Sequence, residues 1–243
     1  MSRLKDKVAI ITGGAAGMGE THVRLFIKEG AKVVLTDINE ENGLTLSNEL
    51  GDNAHFIQHD VTDEEGWKEV VKETEEKFGP VNILVNNAGI SPVMSLENST
   101  LEDYKNVVQI NQISIFLGMK YVLPSMKKIE KGSIINVSSI NGLTGGVIGY
   151  TDTKFAVRGM TKAAAKELAQ YGIRVNSVHP GVINTPMVQE SAAYEQIQAM
   201  IEMIPMKRMA EADEISQLVL FLASDDSSYS TGAEFIADGG ITA

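Results

Sequence analysis

The sequence has no cysteine, no long hydrophobic run and no excess of positive charge. Without cysteine the chain can form neither a disulfide nor a thiolate metal site, and a reducing compartment, the cytoplasm, is the expected location. Residues 1–7 lead into only four apolar residues, 8–11, which is too short for a signal peptide or a membrane span. We therefore expect no association with a membrane.

The formal net charge is −11, from 32 acidic and 21 basic residues. Proteins that bind nucleic acid usually carry a basic surface, so this charge disfavours a nucleic-acid partner. It also disfavours an acidic protein partner such as an acyl carrier protein, although solubility is the simpler explanation of the charge.

Repeats, low-complexity linkers and metal-binding motifs are missing as well. We therefore expect one domain over residues 1–243. The four histidines have no metal-ligand spacing and none stands in a cluster of carboxylates, so no metal is predicted; they are His22, His55, His59 and His179.

Short apolar runs alternate with helical stretches along the whole chain. Strands are predicted at residues 8–12, 32–36, 54–58, 82–85, 133–137, 173–178 and 234–237. Helices are predicted at residues 20–29, 64–78, 101–128 and 151–170, with Pro124 marking a bend or break. This order predicts an α/β fold, a Rossmann-type, doubly wound, seven-stranded parallel sheet with helices on both faces.

A glycine-rich loop follows the first predicted strand and precedes the first helix. Gly13, Gly17 and Gly19 would let the backbone approach a diphosphate at the N-terminus of that helix. Asp37 ends the second strand, where its carboxylate can bind ribose hydroxyls and would repel a 2′-phosphate. The pattern indicates dinucleotide binding, with NAD as the cofactor; a plain glycine turn and a surface aspartate are the alternative.

Polar or glycine residues stand at the ends of five predicted strands. They are Asp37, Asp60, Asn87, Ser139 and the pair Pro180-Gly181. The carboxyl ends of parallel strands meet at one sheet edge, so we expect these residues to converge on one crevice. The alternative is that loops are simply polar.

Tyr150 and Lys154 stand four residues apart at the start of a helix-forming run. Residues with this spacing share a helix face, so the phenol and the ammonium would lie close together. A free tyrosine titrates near pH ~10. A neighbouring cation would lower the pKa of Tyr150 and make it an acid/base near neutral pH. The alternative is a frequent short pattern with Lys154 in solvent.

These motifs together resemble the short-chain dehydrogenase/reductase family, and the likeness covers essentially the whole chain. It rests on Thr12-Gly13-x-x-x-Gly17-x-Gly19, Asp60-Val61, Asn87-Ala88-Gly89, Asn111, Ser139, Tyr150-x-x-x-Lys154, Pro180-Gly181 and Thr185. Within the family the chain is most similar to bacterial NAD-dependent secondary-alcohol, cyclic-alcohol and hydroxysteroid dehydrogenases.

The resemblance implies four catalytic residues. Tyr150 would exchange a proton with the substrate oxygen, and Ser139 would hydrogen-bond that oxygen. Lys154 would bind the nicotinamide ribose and lower the pKa of Tyr150, while Asn111 would support a water linking Lys154 to solvent. Asn111 is also unfavourable in mid-helix, which predicts a partner for its side chain; stabilising a helix bend is the alternative.

The resemblance also implies the cofactor-binding residues. They are Gly13, Gly17, Met18, Gly19, Asp37, Ile38, Asp60, Val61, Asn87, Ala88, Gly89, Tyr150, Lys154, Pro180, Gly181, Ile183 and Thr185.

The chain departs from the family pattern in two places. The loop between Ser139 and Tyr150 is shorter by about two residues, which leaves open whether Ser138 or Ser139 contacts the substrate. Asp152 and Thr153 replace small residues inside the tyrosine–lysine motif, and we expect them to point elsewhere on the helix.

A methionine-rich segment spans residues 187–209. By the resemblance it covers the substrate, which suits adaptable methionine side chains; core packing or a subunit contact is the alternative. The resemblance further implies a homotetramer, with helices 101–123 and 151–170 at one interface and residues 214–222 with the last strand at another.

The predicted activity is hydride transfer between NAD(H) and a hydrophobic secondary alcohol or ketone, which is cyclic, aliphatic or a hydroxysteroid. Two alternatives are a 3-oxoacyl-[acyl-carrier-protein] reductase linked to NADPH and a non-catalytic NAD-binding protein.

Overall fold

The computed structural model describes residues 2–191 and 194–243, with the backbone alone for Gln196. Its strands are β1 Val8–Thr12, β2 Lys32–Asp37, β3 Ala54–Gln58, β4 Ile83–Asn86, β5 Gly132–Val137, β6 Ile173–Pro180, β7 Ile183–Asn184, β8 Ala210–Glu211 and β9 Glu234–Ala237. Seven of them form one parallel sheet in the order β3-β2-β1-β4-β5-β6-β9, and β7 pairs with β8 separately. The prediction of a seven-stranded parallel sheet is confirmed.

Helices cover both faces of the sheet. They are α1 Gly17–Lys28, α2 Glu40–Leu50, α3 Glu64–Phe78, α4 Leu101–Val108, α5 Ser114–Lys128, α6 Tyr150–Leu168, α7 Pro186–Gln189, α8 Tyr194–Ile201 and α9 Ala212–Ala223. One buried cluster packs Phe26 of α1 and Val219 of α9 against one face, and the other packs Trp67 of α3 and Val157 of α6 against the opposite face. Among the described residues, no helix combines the length and apolar composition that a membrane span requires.

The central strands are buried on both sides, as their sequences require. Ala9, Ile10 and Ile11 of β1 have no exposed surface, and Ile11 lies opposite Leu35 of β2 and Val85 of β4. A parallel strand covered on both faces reads as a continuous apolar run, which is why such strands were predictable.

The predicted helix over 101–128 is interrupted, but not at the predicted place. Pro124 lies inside α5, which continues to Lys128, so the chain does not break there. Pro124 is exposed. The interruption is a π-helical turn, Gln109–Ile113, in which the Ser114 N–H bonds the carbonyl of Gln109. Such single turns are frequent at functional sites.

Two helices of 11 and 12 residues, α2 and α9, lie outside the predicted helical stretches. The Asn39 side chain caps α2 by accepting the Asn42 N–H at 3.0 Å. Before α9, the Glu214 carboxylate accepts the Glu211 N–H at 2.9 Å. The capping residues were the signals in the sequence that could have predicted the starts of α2 and α9, since such residues are favoured where helices begin.

The sheet reverses its winding between β1 and β4. In open parallel sheets, ligands bind outside the carboxyl ends of the strands at this point. The glycine loop after β1 and residues 87–89 after β4 both lie there, and together they form the floor of the candidate site.

Candidate active site

Glycine is required at three positions in the loop between β1 and α1. Gly17 has a φ of +54°, which residues with a side chain rarely adopt. A Cβ at Gly13 would lie 2.9 Å from the Cα of Ala88, and one at Gly19 would lie 1.9 Å from the carbonyl oxygen of Gly13. The glycines therefore let the loop pack directly against the backbone that follows β4.

The residues around this loop fit a dinucleotide. Ala16 precedes α1 without a side-chain cap. The first N–H groups of this 12-residue helix therefore offer an anion site. The Asp37 carboxylate accepts the N–H of Ala15 at 3.2 Å and that of Asn39 at 3.0 Å. These bonds hold the carboxylate beside the loop, where it can accept ribose hydroxyls.

Asn87 links the ends of β1 and β4. Its side-chain amide donates to the carbonyls of Thr12 and Gly13 at 3.0 and 3.1 Å. The Thr12 hydroxyl in turn accepts the N–H groups of Asn87 and Ala88, both at 3.0 Å. The Asn87 Oδ1 is buried without a partner. Asn87 thus shapes the loop and also has an acceptor free for a ligand.

A cavity of about 370 Å³ opens beside this loop, at the carboxyl ends of β4, β5 and β6. The predicted site residues that line it are Met18, Asn87, Gly89, Ser138, Ser139, Tyr150, Lys154, Pro180, Gly181, Ile183 and Thr185. The predicted residues outside its lining are Gly13, Gly17, Gly19, Asp37, Ile38, Asp60, Val61, Ala88 and Asn111. The structure therefore brings part of the predicted site together in one cavity, while the glycine loop and the predicted residues after β2 and β3 lie outside its lining.

Three of those outer residues follow β2 and β3. Ile38 is 69% exposed. The Asp60 carboxylate accepts both the N–H and the hydroxyl of Thr62, at 2.9 and 2.8 Å. Val61 is buried, and its carbonyl accepts the indole N–H of Trp67 at 3.0 Å.

Tyr150 begins α6 and lies close to Ser139, which follows β5. Burial raises the pKa of Tyr150, and the nearby Ser139 hydroxyl lowers it by a smaller amount. The expectation that Lys154 lowers the pKa of Tyr150 is therefore wrong for this arrangement of side chains. The Lys154 ammonium lies 5.4 Å from the centre of the tyrosine ring and is held elsewhere.

Lys154 is 3% exposed, and its ammonium donates to the carbonyl of Val137 at 2.9 Å. Burial lowers the pKa of Lys154 from 10.5 to about 8. The alternative of a solvated helix lysine is excluded. The side chain crosses from α6 to the end of β5 and lines the cavity.

The two adjacent serines have different partners. The Ser138 hydroxyl donates to the carbonyl of Lys154 at 2.9 Å, which ties β5 to α6. The Ser139 hydroxyl accepts the N–H of Asn141 at 3.1 Å and lies near Tyr150. Of the two, Ser139 is therefore the one whose hydroxyl is next to the tyrosine.

Asn111 lies in the π turn, fully buried, and its side chain has the partner that the sequence predicted. Its amide donates to the carbonyl of Ile90 and accepts the N–H of Ile90, both at 2.8 Å. The amide also reaches the Thr153 hydroxyl at 3.4 Å. Thr153 does not line the cavity, and its buried hydroxyl donates to the carbonyl of Tyr150 at 2.7 Å.

Sequence reasoning missed several apolar walls of the cavity. Pro92 and Val93 line one side and Val147 another. Pro92 and Val93 follow Asn87-Ala88-Gly89 by three or four residues, and Val147 lies in the shortened loop before Tyr150. Their closeness to predicted site residues was the available signal, but nothing local showed which side chains point inward.

The methionine-rich segment divides into two parts. Met187 and Met200 line the cavity, together with Val188. Met203 and Met206 are 64% and 59% exposed and do not line it. Ala192 and Ala193 of this segment lie outside the described residues.

Comparison with known proteins decides the family. A family model described as enoyl-(acyl carrier protein) reductase matches residues 13–242. A 3-alpha-(or 20-beta)-hydroxysteroid dehydrogenase of Mycobacterium tuberculosis is 47% identical over 243 residues, which cover 99% of this chain and 91% of that protein. The chain belongs to the short-chain dehydrogenase/reductase family.

Other relatives from this family are similar over their full length. A cyclopentanol dehydrogenase of Comamonas sp. is 45% identical, with 100% of both chains covered. An NADP-dependent (R)-specific alcohol dehydrogenase of Lentilactobacillus kefiri is 43% identical, over 99% of this chain and 98% of that protein. The protein is thus an oxidoreductase of the short-chain dehydrogenase/reductase family.

Proposed function

We propose that the protein is an NAD(H)-dependent dehydrogenase that transfers a hydride between the nicotinamide and a hydrophobic secondary alcohol or ketone. The observation that carries this proposal is that Tyr150, Ser139 and Lys154 lie together in the wall of one largely apolar cavity. It pairs a proton donor with a hydroxyl that can hold an oxygen atom, next to a loop that fits a dinucleotide.

The roles of the residues follow from their contacts. The Ser139 hydroxyl holds the substrate oxygen. Tyr150 gives its proton to that oxygen during ketone reduction, and during alcohol oxidation its own proton first passes to solvent so that the phenolate takes the alcohol proton. Lys154, on the next turn of α6, contacts the nicotinamide ribose, while Asn111 and Thr153 hold the start of α6 in place. The nicotinamide supplies the hydride acceptor or donor when bound.

The proposed cofactor is NAD rather than NADP. Asp37 is held beside the glycine loop by backbone N–H groups, and a fixed carboxylate there opposes a ribose 2′-phosphate. The glycine loop, Asp60, Val61, Ile38 and residues 87–89 would bind the rest of the dinucleotide. One relative is named as NADP-dependent, so the preference has to be measured on this chain.

The proposed substrate is a hydrophobic secondary alcohol or ketone, which is cyclic, aliphatic or a hydroxysteroid. The names of the relatives include a hydroxysteroid, cyclopentanol and an (R)-alcohol as substrates. The cavity suits such compounds because its outer wall is apolar, with Val93, Val147, Val182, Met187, Val188, Ile197 and Met200. Among the described lining residues Lys154 is the only cation, which disfavours the phosphate arm of an acyl carrier protein.

We also infer one domain, because the seven-stranded sheet takes strands from Val8 to Ala237. Residues 187–209 would cover the substrate, which the positions of Met187 and Met200 support. A homotetramer is proposed as well, since α5 and α6 expose Phe116 and Phe155.

The test is nicotinamide absorbance with NAD and NADP side by side, over hydroxysteroids, cyclic alcohols and aliphatic secondary alcohols. We expect NAD reduction on one of these groups. Tyr150→Phe should lower turnover by at least roughly 10³-fold while NAD still binds, because the variant loses only the transferable proton. Asp37→Ala should shift the ratio of kcat/KM values towards NADP.

Tyr229→Phe is the matched control, because Tyr229 is fully exposed and does not line the cavity. Full activity of Tyr150→Phe would refute the role of Tyr150. If the wild-type protein binds NAD but oxidises no alcohol, the result would support the alternative of a non-catalytic NAD-binding protein.

A further inference from the structure

His179 is a buried histidine that the proposed mechanism does not use. It lies near the end of β6, directly before Pro180-Gly181, and has no exposed surface. Its Nδ1 lies 3.1 Å from the carbonyl oxygen of Ser139, and its Nε2 lies 2.9 Å from the Ser177 hydroxyl. Both ring nitrogens therefore have a hydrogen-bond partner. The partner of Nδ1 is the backbone of Ser139, the serine beside Tyr150.

The chemistry of these partners determines the form of the ring. A carbonyl oxygen can only accept a hydrogen bond, so Nδ1 carries a proton and donates it to Ser139. Burial lowers the pKa of His179, which keeps the imidazole neutral. The Nε2 atom is then an acceptor, and the Ser177 hydroxyl donates to it. The Ser139 carbonyl thus selects the tautomer, and the Ser177 hydroxyl satisfies the other ring nitrogen.

The bond from His179 is a long-range support for a short turn. Ser139 precedes a single 3₁₀ turn, Ile140–Gly142, and within that turn its carbonyl accepts only the Gly142 N–H at 3.0 Å. On the far side of the turn, the Arg158 guanidinium donates to the carbonyl of Gly142 at 2.7 Å. His179 therefore connects the Ser139 backbone to the sheet, and Arg158 connects the other end of the turn to α6.

We infer that His179 is a positioning residue, which fixes the Ser139 backbone through Nδ1 so that the Ser139 hydroxyl meets both Tyr150 and the substrate oxygen. The inference rests on the proposed function of the site. A connected series of contacts carries it, from the Ser177 hydroxyl through the imidazole to the Ser139 backbone, and Ser139 and Tyr150 line the same cavity. A small displacement of a reacting group lowers the rate strongly, so loss of this support affects the chemistry.

The test compares three variants of His179 in alcohol oxidation with saturating NAD. His179→Asn places an amide N–H near the position of Nδ1, whereas His179→Gln places it near Nε2 and His179→Ala has none. We expect His179→Asn to keep kcat within about threefold, and His179→Gln and His179→Ala to lose roughly ten- to a hundredfold. The dissociation constant of NAD, measured separately, should remain within about twofold, since the adenosine contacts are elsewhere.

His22→Ala is the matched control for removing a buried histidine. His22 also has no exposed surface, and its Nδ1 bonds the Ser216 hydroxyl at 2.7 Å between α1 and α9. We expect this variant to lose thermal stability without a comparable loss of kcat.

A double-mutant cycle with Ser139→Ala separates positioning from general destabilisation. If His179 acts through the Ser139 hydroxyl, His179→Ala should cost little further kcat once that hydroxyl is gone. If the two losses simply multiply, or if His179→Asn and His179→Gln behave alike, the inference is overturned. If the wild-type protein turns over no alcohol, it is the proposed function that fails, before any variant is compared.

Discussion

At the residue scale, two adjacent hydroxyls have separate tasks. Ser138 bonds the backbone of Lys154, and Ser139 lies beside the side chain of Tyr150. Their side chains differ in position because successive residues of an extended chain point in opposite directions. The shortened loop before Tyr150 left the choice between them open in the sequence, and the structure assigns one to the fold and the other to the tyrosine.

Ser139→Ala should therefore lower activity, and Ser138→Ala should lower stability. We expect Ser139→Ala to lower kcat by roughly 10²-fold with little change in stability, because it removes the hydroxyl at the reacting oxygen. Ser138→Ala should cost about 1 kcal/mol of stability and keep most of the activity. Steady-state kinetics and urea denaturation of both variants measure this. A larger kcat loss in Ser138→Ala than in Ser139→Ala would reverse the assignment.

Lys154 provides a pH-dependent prediction. Its pKa falls from 10.5 to about 8 on burial, so between these values the unfolded chain binds more protons and stability rises with pH. Lys154→Met removes this dependence. We expect the Tm of Lys154→Met, relative to the wild-type Tm, to fall as pH increases from about 8 to about 10. Thermal denaturation of the ligand-free proteins at several pH values measures the difference, and a constant difference would contradict a buried ammonium.

At the scale of elements, the glycine loop couples β1, α1 and the end of β4. Its closest approach is at Gly19, which faces the carbonyl oxygen of Gly13 and the side chain of Asn87. This packing explains the sequence pattern without a bound ligand, since the loop needs glycine to close on itself. The loop and the start of α1 are then ready to receive an anion.

Gly19→Ala should disturb this element, whereas Gly159→Ala should not. An added methyl group at Gly19 would overlap the Gly13 carbonyl, and we expect a loss of about 1–3 kcal/mol and weaker NAD binding. Gly159 is exposed in α6 with open space around it, so alanine there should add about 0.5–1 kcal/mol. Denaturation and NAD titration of both variants measure this. Equal stability of the two variants would show that the loop tolerates a side chain.

The π turn around Asn111 connects the end of β4 with α6. It places the Asn111 amide between Ile90, after β4, and Thr153 of α6. The turn therefore connects the strand end that borders the cavity with the helix that carries Tyr150 and Lys154. Periodicity predicted a helix through this region but not its widened turn, because a single inserted residue barely changes the apolar pattern.

At the scale of the whole molecule, apolar side chains remain exposed on α5 and α6. Phe116 and Phe155 are 52% and 43% exposed, although both belong to helices whose opposite faces form the core. Large exposed aromatic side chains on neighbouring helices are typical of subunit interfaces. They are the structural support for the proposed homotetramer.

Replacing these aromatic residues by charge should dissociate the assembly. We expect Phe116→Glu combined with Phe155→Glu to lower the molar mass in light scattering, since the charges would be buried in the interface. Leu44→Glu is the matched control, because Leu44 is 45% exposed on α2, away from these helices. A wild-type protein of 26.3 kDa in solution would exclude the homotetramer outright.

The sequence by itself determined the sheet and the glycine loop, and its family resemblance named nearly half of the residues around the cavity. The sheet and the loop depend on local patterns, since buried parallel strands read as apolar runs and a close backbone turn requires glycine. The cytoplasmic location stays a prediction from the absence of cysteine. The placement of α2 and α9 was missed because their signals are caps rather than strong periodicity.

Only the tertiary structure decided how the site is held together. The bonds from His179 to Ser139 and from Lys154 to Val137 join residues 40 and 17 positions apart. No local pattern encodes such contacts, because they depend on how β5, β6 and α6 pack. The pKa of Tyr150 illustrates this. Its spacing from Lys154 predicted a neighbouring cation that lowers the pKa of Tyr150. In the packed structure burial raises that pKa, and the Lys154 ammonium donates to the carbonyl of Val137.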